Sequence, residues 1–225
     1  VTTEPLLVAA GGTTSGVFRE DDLQESALDL EAITRFPSGG DALASAGVTA
    51  NQVTITAALL SGTVGTCIYC YPQARWPLLV MPAFLFVRMA LNAIDGMLAR
   101  EHNMKSRLGA VLNEIGDVAA DTALYLPLAL VPAFSPQLIV IITILAIISE
   151  MTGVVAIQIG AGRRYEGPMG KSDRAFVFGL LALLLGLNVP TGQWLWVVQI
   201  GICALLVLTI LNRARRALAE SSRAT

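Results

Sequence analysis

Charge is what this 225-residue sequence has least of. Asp, Glu, Lys and Arg make up 14% of it and hydrophobic residues 54%, whereas a soluble domain carries about a quarter charged residues. That balance excludes an ordinary soluble enzyme and a disordered chain. The formal net charge is −2, so there is no basic field to hold a phosphate backbone, and nucleic acid is excluded as a partner. Histidine occurs once, as His102, and cysteine three times. Cys67 and Cys70 form a C-x-x-C. With no second pair and no histidine cluster beside it, the motif does not read as a zinc site. Together with Cys203, these cysteines read as small apolar residues of membrane helices.

What the chain has in abundance is long apolar runs. From Val53 onward six stretches approach the length needed to cross a hydrocarbon core of about 30 Å: Val53–Tyr71, Trp76–Leu98, Leu108–Val131, Gln137–Ile159, Ser172–Leu187 and Gln193–Leu211. Short loops with Pro72, Pro132, Pro136, Pro190 and Gly192 separate them. The expectation is an all-α polytopic membrane protein of about six helices. Its transmembrane domain spans residues 51–216, between an acidic leader (1–50) and a short tail (217–225). The leader has neither the basic nor the apolar region of a secretory signal. It holds Glu4, Glu20, Asp21, Asp22, Glu25, Asp29 and Glu31 against Arg19 and Arg35. Within it, Asp21–Ile33 has the spacing of a short amphipathic helix, a disordered acidic leader being the alternative. Lys and Arg crowd alternate loops, at Arg100, Lys105 and Arg107, at Arg163, Arg164, Lys171 and Arg174, and after Arg213, while the other side holds only Arg75. The asymmetry places the termini and these loops in the cytoplasm.

Ionisable groups inside spans point to function, because each costs about 2.5–3.5 kcal/mol or more at the membrane centre. They cluster here. Span two ends in Asn92, Asp95, Gly96, Ala99 and Arg100, and span three opens with Gly109, Asn113, Glu114, Asp117 and Asp121. Asn92 and Asp95 are three apart, and Asn113, Asp117 and Asp121 four apart, so each set shares a helix face. Oxygen donors in this number suit a hard divalent cation, Mg²⁺ or Mn²⁺.

These residues resemble the signature of the CDP-alcohol phosphotransferase family, D-x2-D-G-x2-A-R-x8-G-x3-D-x3-D. Asp95, Gly96, Ala99, Arg100, Gly109 and Asp117 occupy matching positions, while Asn92 and Asn113 stand for the first and third aspartates. Asn51 and Thr54 resemble the family's P-N-x-x-T entry to the first span, Glu150 an acidic position of some members, and Gly170-Lys171 its G-K-x-K-T loop. The resemblance implies a transferase that moves a substituted phosphoryl group from a CDP-linked alcohol such as CDP-diacylglycerol to an acceptor hydroxyl, releasing CMP in phospholipid biosynthesis. It implies a metal shell of Asn92, Asp95, Asn113 and Asp117, with Glu114 and Asp121 restoring the charge lost at the asparagines. Asp117 would accept the proton, and Gly96, Ala99, Arg100, Gly109, Lys171 and Arg174 would bind substrate. It also implies a homodimer in the inner or plasma membrane, with its site facing the cytoplasm. The alternatives are a catalytically retired scaffold of the family, favoured by the two asparagines, and an ion- or proton-coupled transporter.

Overall fold

The computed structural model describes residues 39–224; the candidate amphipathic helix Asp21–Ile33 lies outside them. Seven α-helices follow in order: α1 (Gly39–Ser45), α2 (Ala50–Cys70), α3 (Trp76–Glu101), α4 (Arg107–Tyr125), α5 (Pro136–Gln158), α6 (Lys171–Gly186) and α7 (Gln193–Ala224), with a 3-10 segment at Leu126–Leu130. There is no strand among the described residues. The expected spans correspond to α2 to α7. The third is split because Pro127 lies where an α-helix would need another backbone donor, and the chain tightens into 3-10 turns. The last helix continues unbroken past residue 216 into the tail.

Local chemistry sets the helix starts. Thr49 caps α2 and forms a reciprocal capping box with Gln52. Ser106 caps α4 by accepting from the Gly109 amide at 2.9 Å. Asp173 accepts from the Gly170 amide at 2.9 Å and closes the first turn of α6.

Four helices are long and apolar enough to cross a membrane: α2, α3, α5 and the Gln193–Ser222 portion of α7. The other two reach the bundle differently. α4 carries three carboxylates. α6 has 16 residues, about 24 Å at 1.5 Å per residue, and lies against α3 while α4 lies against α2. Large apolar side chains cover the outside, with Phe86 77%, Phe176 71% and Leu59 68% exposed. A surface of this kind is suited to lipid rather than water. The chain is an all-α integral membrane protein.

The apolar core is built around Met81, Leu124, Leu128, Ile139, Ile142 and Phe178. Tyr125 stacks on Phe178 with ring centroids 4.6 Å apart. At Gly65, α2 and α4 approach so closely that a Cβ would overlap the Ala123 carbonyl. Gly65→Val is therefore expected to destabilise the detergent-solubilised protein by about 1–3 kcal/mol, the range for overpacking, seen as a lower thermal midpoint. Gly62→Val, at a position where an added Cβ meets nothing within 4 Å, should leave the midpoint in place. Equal midpoints for the two variants would contradict this packing.

Candidate active site

Antiparallel succession brings the α3–α4 loop, the α5–α6 loop and the end of α7 to one end of the bundle, and a cavity of about 450 Å³ opens there. Its wall includes Asp95, Gly96 and Ala99 from α3, Gly109 and Asn113 from α4, and Asn51 and Thr54 from α2. Two residues not singled out in the sequence, Lys105 and Tyr165, also line it. Gly109 allows a close approach: a Cβ there would come within 2.7 Å of Asn51 Oδ1 and 3.0 Å of Ser106 Oγ. Arg100 is exposed, lines the cavity and donates through Nε to the Gly96 carbonyl at 3.0 Å.

Asp95 is 6% exposed. The Thr54 hydroxyl donates to its Oδ2 at 2.9 Å, and among the described residues no cation stands within ion-pair distance of it. A buried carboxylate without a counter-charge is costly. Asp117, one helix away, is ion-paired to Lys171 and lies 3.9 Å from Arg88. Asn92 shares a second, smaller cavity of about 140 Å³ with Arg88 and Lys171. The structure thus brings Asp95 and Asn113 to one cavity and Asn92 and Lys171 to another, with Asp117 bonded to Lys171. Two carboxylates and two carboxamides are hard oxygen donors, and their two negative charges match one divalent cation.

Glu114 and Asp121, expected to add charge to a metal shell, are both held by arginine. Arg163 grips Glu114 through Nε and Nη2 at 2.5 and 2.6 Å. Asp121 receives Arg88 at 2.5 Å and Arg174 at 2.8 Å. Arg174, 1% exposed, also reaches Glu150 at 3.0 Å, and Glu150 lies 3.4 Å from Arg213 and 3.6 Å from Arg163. Arg213 donates to the Ser149 and Tyr165 carbonyls at 2.6 and 3.1 Å, which ties the α5–α6 loop to α7. Burial opposes the charge of Arg163, but Glu114, together with Tyr165 and Glu150, raises the guanidinium above its ordinary pKa. Its own backbone amide, then the Arg164 side chain and the Tyr165 amide, hold the Glu166 carboxyl below the usual carboxylate range. Arg88 escaped the sequence reading, and Arg213 entered it only as part of the basic end of the chain. Arg88 carries a legible signal: it is the one charged residue in the otherwise apolar run from Trp76 to Leu91, four residues before Asn92.

Residues 47–211 match the model of the CDP-alcohol phosphatidyltransferase family. The chain belongs to that family. The match contains the whole cavity-lining motif and places this CDP-alcohol phosphatidyltransferase among the membrane transferases of phospholipid synthesis. It is 43% identical to inner membrane protein YnbA of Escherichia coli over 178 residues, 78% of this chain and 87% of that protein. Its fold is similar to Mycobacterium tuberculosis phosphatidylinositol phosphate synthase, PgsA1, solved with CDP-DAG bound. The TM-score is 0.67 at 19% identity, covering 79% of this chain and 90% of that one. The same synthase in complex with manganese and citrate matches with a TM-score of 0.67 and 19% identity over 80% and 87% of the two chains.

The arginine network makes its own prediction. Arg174→Leu leaves two carboxylates short of a partner inside the bundle and should cost about 3–5 kcal/mol, the range for breaking a buried ion pair, read as a lower thermal midpoint in detergent. Arg100→Leu, at an exposed position, should stay within about 0.5 kcal/mol of the parent. An unchanged midpoint for Arg174→Leu would mean the network carries no stability.

Proposed function

We propose that this CDP-alcohol phosphatidyltransferase moves a substituted phosphoryl group from a CDP-linked lipid such as CDP-diacylglycerol to an acceptor alcohol and releases CMP. The observation that carries the reading is Asp95, a buried carboxylate with no cation within ion-pair distance among the described residues, in the wall of a cavity of about 450 Å³. The manganese and the CDP-DAG of the structurally similar synthase support it.

In this reading Asp95 and Asp117, with the amide oxygens of Asn92 and Asn113, hold one Mg²⁺ or Mn²⁺. When bound, the cation neutralises the pyrophosphate and stabilises the charge that develops on the departing CMP oxygen. Gly96, Ala99 and Gly109 admit the cytidine and pyrophosphate, and Arg100 and Lys105 at the rim offer donors to phosphate oxygens. Lys171 holds Asp117 in place, and the Asp117 carboxylate accepts the proton of the acceptor hydroxyl. As that hydroxyl oxygen bonds to phosphorus, the bond from phosphorus to the CMP oxygen breaks and CMP leaves. Glu114 and Asp121 serve their arginines and complete no metal shell, and Arg174 acts through Asp121 and Glu150 rather than on substrate.

The same proposal carries the cytoplasmic orientation of this end, from the Lys and Arg excess of its loops, and assembly as a homodimer. The retired-scaffold reading draws on Asn92, Asn113 and the lysine on Asp117, and turnover separates the two. With CDP-diacylglycerol, a panel of alcohols and Mg²⁺ or Mn²⁺, metal-dependent CMP release is expected. Asp117→Asn should lower it by about 10²–10⁴-fold, the usual contribution of a general base, with the thermal midpoint little changed. No CMP release with any acceptor would favour the scaffold.

A further inference from the structure

The position of the cavity sets the side from which the acceptor arrives. In an in-line displacement the attacking oxygen comes from opposite the leaving group. With the nucleotide against Asp95, Gly96 and Gly109, the acceptor meets Asp117, which is paired to Lys171 and lies 3.9 Å from Arg88; Arg163 and Arg174 hold Glu114 and Asp121 on the same stripe of α4. By residue type these surroundings are cationic, as a phosphorylated alcohol would require.

Their charges are spent internally. Arg163 is gripped by Glu114 at 2.5 and 2.6 Å, and Arg174 by Asp121 and Glu150 at 2.8 and 3.0 Å. Glu150 also faces Arg213 at 3.4 Å. Arg88 holds Asp121 at 2.5 Å, Arg164 pairs with Glu166 at 3.1 Å and with Glu220, and Lys171 pairs with Asp117. Each of these cations thus has a carboxylate of its own chain. A phosphate monoester brings close to two further negative charges. To bind, it would have to pull an arginine from a resident carboxylate and leave that carboxylate buried and unpaired, which the interior penalises.

From this we infer that the acceptor is a neutral or zwitterionic alcohol with no phosphate group, and that Glu114 is a specificity-determining residue that keeps Arg163 from recruiting one. The inference rests on the transferase reading above. Glu114 is suited to this role because it sits one helical turn before Asp117 and its side chain remains 29% exposed.

Matched acceptor pairs test it: glycerol against glycerol 3-phosphate and inositol against inositol phosphate, each with CDP-diacylglycerol and Mn²⁺, read as CMP release. The unphosphorylated member of a pair is expected to have the higher kcat/KM, by at least about tenfold. Preference for the phosphorylated member would overturn the inference while leaving the transferase reading intact. A second arm needs no turnover: inorganic phosphate is titrated against the full-length protein in detergent, with thermal shift as readout. The parent should show no shift, Glu114→Gln should acquire one, and Glu114→Gln/Arg163→Gln should lose it again. A phosphate-dependent shift in the parent would overturn the inference even if no acceptor in the panel turned over. Complete silence in the turnover arm overturns the transferase reading alone.

Discussion

A chain of arginine–carboxylate pairs inside a low-dielectric bundle is the constraint on which the rest of this structure depends. Starting from Arg88 on α3, it passes through Asp121 on α4 and Arg174 on α6 to Glu150 on α5. It continues to Arg213 on α7 and, through Arg163, returns to Glu114 on α4. At its buried centre, removing Arg174 leaves Asp121 and Glu150 each one partner short, and an uncompensated buried charge costs several kcal/mol. The pairs therefore fix the rotation and height of five helices relative to one another. Asp117 lies between Glu114 and Asp121 on the same stripe of α4, so its position is set by its neighbours' bonds.

The network also sorts the carboxylates into two groups. Glu114, Asp121 and Glu150 are neutralised by arginine, whereas Asp95 faces a cavity with a hydroxyl as its partner and Asp117 faces a lysine. A signature with four aspartates would place four negative charges among the donors. With Asn92 and Asn113, two remain, which in the proposed reading would balance a single divalent ion. Asparagine keeps the oxygen and gives up the charge, so coordination can persist while the charge count falls. The same economy extends to the acceptor side, where resident acids leave little positive potential for an anionic alcohol.

Much of the fold and part of the site were legible in the sequence, for different physical reasons. Hydropathy reports burial in lipid directly, so α2, α3, α5 and α7 could be read as spans. The end of α4 was missed, because the apolar run continues to Val131, although Pro127 carries a stereochemical rule that marks it. Spacing along a helix is local, and so the sharing of a face by Asp95, Gly96 and Ala99, and the proximity of Gly109, could be deduced. The partners of Glu114 and Asp121 could not. Arg163 is 49 residues from Glu114, and Arg174 is 53 from Asp121. Such pairings depend on helix packing that no local pattern encodes. Read alone, a stripe of acids resembles a metal shell; with distant arginines in place, two of its three acids are ion-paired within the bundle.

The central claim is that the two asparagines leave a working site for one cation. The most direct measurement is the number of Mn²⁺ ions bound per chain to the purified protein, by electron paramagnetic resonance titration, for the parent, Asp95→Asn and Glu114→Gln. The account predicts one ion in the parent, loss of binding in Asp95→Asn and no change in Glu114→Gln. Two ions in the parent, with one lost in Glu114→Gln, would return Glu114 to the metal shell and contradict the role given to Arg163. No binding in the parent would contradict the claim outright.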